Sequence, residues 1–124
     1  MTIAEVSRQY DISPDTLRYY ERAGLLPGIS RTPGGIRNYS EVDCRWVEYI
    51  KCMRGAGVSV ETLVEYVALF HQGETTIQAR KNLLLEQRGQ IAARIEELKT
   101  VLDKLDWKLD GYEERMLQYE EKLK

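Results

Sequence analysis

Five side chains in the first 37 residues share one chemistry: Arg18, Tyr19 and Arg22, then Arg31 and Arg37. A guanidinium grips phosphate, or the edge of guanine, through paired N–H donors, and a phenol hydroxyl can donate to a phosphate oxygen. The bland alternative for the first three is a solvated face, with Arg18 paired to Asp15 or Glu21. A second kind of chemistry belongs to Cys52, whose linear neighbours include Lys51 and Arg54. Cations beside a thiol favour the nucleophilic thiolate. Cys52 could instead be a small apolar filler on the flank of a helix. His71 is the only histidine, and a lone histidine near a helix end more often caps carbonyls than binds metal. No nucleophile has an evident histidine base, and no glycine-rich phosphate loop precedes a helix, so the residues point away from an enzyme and require no cofactor.

The elements that must position the arginines lie between Ser13 and Tyr39. Ser13 followed by Pro14 is a helix start, since a side-chain oxygen caps free amides and proline tolerates the first turn. Helical spacing puts Asp15, Arg18, Tyr19 and Arg22 on one polar stripe and turns Leu17 and Tyr20 away from it. Gly24 ends the helix. Two β-capable pieces follow, Leu25-Leu26 and Ile36 to Tyr39, around a loop carrying Pro27, Gly28, Pro33, Gly34 and Gly35. Arg31 and Arg37 flank that loop. Such a helix fits a major groove, and such a hairpin can press on the adjacent backbone and minor groove. Upstream, Thr2 to Gln9 reads as another helix, with Thr2 as cap and Ile3 and Val6 inward. The pair makes a helix-turn-helix.

The run TLRYYERAGLL followed by GGIRNYS resembles the signature of the MerR family of bacterial transcription regulators, from Ile3 to about Phe70. Further on, IKCMRGAG, EYVALFHQG and ARKNLL are most similar to the branch that senses aldehydes and other thiol-reactive electrophiles. The resemblance implies that Arg31, Arg37 and Tyr39 carry the contacts of the wing. It also implies that Cys52 occupies the sensor-thiol position. Many family members have Gly-Tyr-Arg where this chain reads Gly35-Ile36-Arg37, so a tyrosine contact there does not carry over. The metal sensors of the family place cysteines near the end of the dimerisation helix, and none follows Cys52 here, which argues against a metal site.

Downstream, Ser40 caps a third helix to about Arg54, with Val42, Trp46, Val47, Tyr49, Ile50 and Met53 on one apolar arc. Gly55 and Gly57 stop it. Ser59 caps a fourth, with Val60, Leu63, Val64, Val67 and Phe70 inward and Gly73 at its end, so the two should pair as a hairpin. Thr75 with Gln78 suggests a capping box opening the last element. Its apolar residues step by four and three from Ile91 through Ile95, Leu98, Leu102, Leu105 and Leu109, then on to Leu123. That heptad seam argues for a coiled coil between two copies. An intramolecular hairpin breaking near Asp110-Gly111 is the alternative.

Composition sets bounds. Charged residues make up 31% and the net charge is −2, and the pI near 5.5 argues against a uniformly basic surface. The first 39 residues nevertheless carry five arginines against four acids. No apolar run approaches the ~20 residues of a membrane span. Two cysteines make no disulfide scaffold, so a cytoplasmic location is expected. Eight residues of helix separate Cys44 and Cys52 by roughly 12 Å, beyond the ~7 Å a disulfide can bridge.

The expected architecture is therefore mostly α. Residues 1–73 form a winged helix-turn-helix head with a small β wing and a helical hairpin, and residues 74–124 a long dimerisation helix. The resemblance implies an antiparallel coiled coil and two heads on a pseudo-palindromic promoter. It further implies activation by DNA distortion, with RNA polymerase as partner through the shared promoter. Two rivals stay open: a DNA-bending architectural or excision factor without an inducer, and a coiled-coil module whose head binds protein.

Overall fold

The computed structural model describes residues Met1–Lys124 and divides into two units, Met1–Gln87 and Arg88–Lys124. In the first, α1 (Ile3–Tyr10) starts with a full capping box between Thr2 and Glu5. The turn out of it passes through Asp11, the one non-glycine residue at positive φ (53°). Asp11 and Ile12 both return their amides to the Ser7 carbonyl, closing the helix end as its free carbonyls require. Helix α2 (Pro14–Ala23) is capped by Ser13, whose hydroxyl accepts from the Thr16 amide, and ends at Gly24 with φ 90°.

Leu25 and Leu26 are not a strand. The Leu25 amide bonds to the Tyr20 carbonyl at 2.9 Å and the Leu26 amide to the same oxygen at 3.4 Å. Their amides are thus committed to closing α2, while both side chains are buried. The wing is built instead from β1 (Ser30–Arg31) and β2 (Arg37–Asn38), antiparallel, with Ser30 opposite Asn38 and Arg31 opposite Arg37. Its tip is a turn in which the Gly35 amide bonds to Thr32 O at 2.8 Å. Gly35 sits there at φ 82°, a conformation that favours glycine.

Helix α3 (Glu41–Gly55) opens with a second capping box, Ser40 with Asp43. Its buried stripe is Cys44, Val47 and Ile50. A second stripe of Trp46, Tyr49 and Met53 is half-buried, and Val42, a turn before Trp46, is left exposed rather than inward. Helix α4 (Val60–Gln72), capped by Ser59, buries Leu63 and Val67. The two helices meet through rings: Trp46 lies 5.1 Å from Phe70 and 6.3 Å from Tyr66, and Tyr49 5.7 Å from Tyr66. Phe70 keeps 43% of its surface exposed although the Arg80 guanidinium covers its ring at 5.2 Å. One core thus runs from Val6 and Leu17 through Leu25, Tyr39, Val47 and Ile50 to Leu63 and Val67.

The long helix does not begin with a Thr75–Gln78 box. A 3₁₀ turn (Glu74–Thr76) comes first, and the Thr76 hydroxyl reaches the carbonyls of Leu69 at 2.6 Å and Gly73 at 2.7 Å. Gln78 bonds along the helix to Asn82. Helix α5 (Ile77–Leu109) has 33 residues, a length of about 50 Å.

In the second unit α5 ends at Leu109, and α6 (Tyr112–Lys122) begins after Gly111 at φ 67°. The Arg115 guanidinium closes the turn after α5, donating to Lys108 O at the end of the helix and to Asp110 O at 2.7 Å just beyond it, and it lies 5.2 Å from the Trp107 ring. Ile95, Leu98, Leu102, Leu105 and Leu109 stay between 48% and 64% exposed, α6 leaving them uncovered. The intramolecular hairpin is therefore not what covers the seam.

Candidate nucleic-acid interface

Helix α2 carries three of the nominated residues on its outer side. Tyr19 is 45% exposed and Arg22 is exposed without an ion pair. Arg18 donates to Asp15 at 2.7 Å across one turn, which settles its partner as Asp15 and frees Glu21. An exposed i,i+3 pair of this kind is worth a few tenths of a kcal/mol, so a phosphate can readily replace the Asp15 carboxylate.

Glu21 instead reaches the wing. Its Oε2 accepts from Arg37 Nε at 2.6 Å, and its Oε1 lies 3.8 Å from an Arg31 Nη. Arg31 also donates to the Gly35 carbonyl at 3.1 Å. The structure so gathers Arg31, Arg37 and α2 around one carboxylate. Sequence spacing gave Glu21 only the role of a bland partner for Arg18. The one signal that could have found it is charge balance, because a two-stranded wing with arginines on both arms needs an acid from elsewhere.

Tyr39 does not join this set. It is 2% exposed, its hydroxyl is buried without a hydrogen-bond partner, and its amide bonds to the Met1 carbonyl at 2.8 Å. Burial pushes the phenol pKa up, and the nearby Glu21 charge adds to the shift. The wing contact expected of Tyr39 is corrected: β2 ends at Asn38, so strand alternation does not extend to it and the chain turns inward. Ile36, at the position where the family often has tyrosine, is 59% exposed at the wing.

Cys52 is exposed and Cys44 is buried. The cations that sequence places beside Cys52 are engaged elsewhere. The Lys51 ammonium donates to the Tyr10 carbonyl at the end of α1, and Arg54 donates to Val58 O at 2.8 Å. What lies near the thiol is Tyr49, one turn earlier. Its pKa is raised by burial first, then by the charges of Tyr66 and Cys52. No three His, Cys, Asp or Glu side chains converge to hold a metal ion.

This geometry, a capped helix-turn-helix with an arginine-bearing wing, agrees with a family pattern described as MerR HTH family regulatory protein, which matches residues 1–69. A second, described as MerR, DNA binding, matches residues 44–108. The chain belongs to the MerR family. The HTH-type transcriptional regulator AdhR of Bacillus subtilis (strain 168) is 50% identical over 91 residues, 73% of this chain and 65% of AdhR. The matched region thus spans just under two thirds of that relative. A Listeria monocytogenes chain assigned to the same family superposes with a TM-score of 0.88 at 42% identity, covering 99% of this chain and 93% of the other. HiNmlR, described as a MerR family regulator lacking the sensor domain and solved bound to promoter DNA, gives a TM-score of 0.85 at 31% identity over 94% and 92% of the two chains. This MerR-family chain is accordingly a transcription regulator of the helix-turn-helix type, with regulators rather than enzymes as its relatives. None of its helices is long and apolar enough to cross a membrane.

Proposed function

We propose that this protein acts as a homodimeric, cytoplasmic activator that binds promoter DNA and responds to aldehydes or other thiol-reactive electrophiles through Cys52. Residues 1–73 serve as the reading head and 74–124 as the dimerising helix. Arg18, Tyr19 and Arg22 enter the major groove on α2, while Arg31 and Arg37 hold the adjacent backbone. The observation that carries the DNA reading is the attachment of the wing to α2 through Glu21, which presents both sets of cations from one folded unit. The half-exposed stripe from Ile91 through Ile95, Leu98, Leu102, Leu105 and Leu109 supports closure by a second copy as an antiparallel coiled coil. Two heads held at a fixed separation can bend and untwist the duplex between them, a deformation of about 1 to 6 kcal/mol by elastic estimates. That distortion aligns promoter elements for RNA polymerase. The solvent access of Cys52 supports it as the point of chemical input, as a single-cysteine adduct or oxidation product.

The test is transcription from the protein's own promoter with formaldehyde or methylglyoxal added. Induction in the wild type and its loss in Cys52→Ser are expected, and equal induction in both removes Cys52 from the mechanism. A second reading, DNA bending without an inducer, draws on Lys51 and Arg54, whose charged ends are hydrogen-bonded to the carbonyls of Tyr10 and Val58. It predicts DNA binding with no electrophile response in either protein.

A further inference from the structure

The register of the wing sets Arg31 directly opposite Arg37, and like charges in that position repel. The acid that offsets them comes from outside the hairpin. Glu21, on α2, is three-quarters buried at its side chain and offers one carboxylate oxygen toward each arginine. Arg37 spends only its Nε on Glu21. A guanidinium carries five N–H donors in a rigid plane, so fixing Nε fixes the direction of the outer Nη edge, which makes no other hydrogen bond within the chain.

We propose that Glu21 is a positioning residue for DNA binding: its carboxylate, held between the two opposed arginines of the wing, locks the hairpin to α2 and aims the Nη edge of Arg37 at a backbone phosphate. The inference rests on the DNA-contacting reading of the wing given above. It carries an unusual sign. A carboxylate beside a duplex repels phosphate, so a merely adjacent acid weakens binding and its removal tightens it. An acid that orients the contacting arginine does the reverse.

The experiment compares wild type, Glu21→Gln, Arg37→Ala and the double variant on a fluorescein-labelled duplex spanning the protein's own promoter, by anisotropy over a potassium chloride series. Arg37→Ala should weaken binding about tenfold and reduce the slope of log K against log salt by about one, as loss of one phosphate contact does. Glu21→Gln, although it removes a negative charge, should weaken binding about fivefold and also flatten the slope, and should add nothing in the Arg37→Ala background. If Glu21→Gln binds as tightly as wild type or tighter, or weakens binding equally in both backgrounds, the positioning role is wrong while the wing reading stands. Unchanged binding by Arg37→Ala sinks the wing reading and the Glu21 role with it. A variant that only loses folded protein lowers the active fraction and leaves the salt slope alone, and that result for Glu21→Gln also counts against the proposal.

Discussion

Leu102→Ala offers a quantitative test of self-association. Leu102 keeps 57% of its surface exposed on α5, between Leu98 at 56% and Leu105 at 52%. Full burial of a leucine side chain is worth about 1.5 to 3 kcal/mol, so covering the exposed 57% contributes roughly 0.9 to 1.7 kcal/mol. A twofold interface loses that contact on both chains, which brings the total to about 2 to 3 kcal/mol, or some 30- to 150-fold in the dimer dissociation constant. Alanine is the best helix former, so α5 keeps its intrinsic helical preference and the effect reads out at the interface. Analytical ultracentrifugation over a dilution series measures it directly. A dissociation constant within threefold of wild type would show that Leu102 does not lie in a dimer seam. A wild type that is already monomeric at micromolar concentration would remove the seam altogether.

Further outcomes follow from the geometry. Tyr39→Phe removes a buried, unpartnered hydroxyl, so it should leave stability unchanged or raise it by up to about 1 kcal/mol and leave DNA affinity intact; weakened binding would restore Tyr39 as a contact. Because the folded Tyr39 pKa lies above the ordinary value of 10.0, its stabilisation is present below that pH and is lost as pH climbs through the folded value, a fall that urea titrations should find shallower in the Phe variant. Ser40→Ala removes the hydroxyl that accepts from the Asp43 amide and leaves the backbone half of the capping box in place; it should cost about 1 kcal/mol, seen as a lower urea midpoint at unchanged slope. Gly111→Ala places a side chain at φ 67° where nothing lies within 4 Å, so the penalty is purely backbone, about 1 kcal/mol, and hydrogen exchange across the start of α6 should quicken about fivefold. Iodoacetamide should add one label in native buffer, at Cys52, and a second at the buried Cys44 only in denaturant, as read by mass spectrometry.

What could be read from the sequence is what depends on neighbours in the chain. Thr2, Ser13, Ser40 and Ser59 each cap the helix expected of them, because a cap needs only a side-chain oxygen and the next three amides. The glycine ends of α2 and α4 follow the same local logic. Leu25-Leu26 misled because a two-residue apolar pair looks the same whether its amides join a sheet or close a helix. Thr75 and Gln78 fit a capping pattern, but a tertiary bond from Thr76 to Leu69 moved the start of the helix. At the candidate site, the arginines could be found by type and spacing. Their organising acid could not, since Asp15 and Glu21 stand at equally plausible offsets from Arg18 and only the packed wing chooses between them. Lys51 and Arg54 make the same point for Cys52: adjacency along a helix puts side chains on different faces, and Lys51 reaches the distant Tyr10 carbonyl while Arg54 closes onto Val58 O in the following turn.

The bare flank of α5 makes abundance itself a physical variable. If that stripe of half-exposed leucines is covered by another molecule of the same kind, as proposed above, the supply of paired reading heads follows the square of the free-chain concentration. A modest rise in synthesis then yields a disproportionate gain in paired molecules, and dilution as the cell grows separates them without any chemical signal.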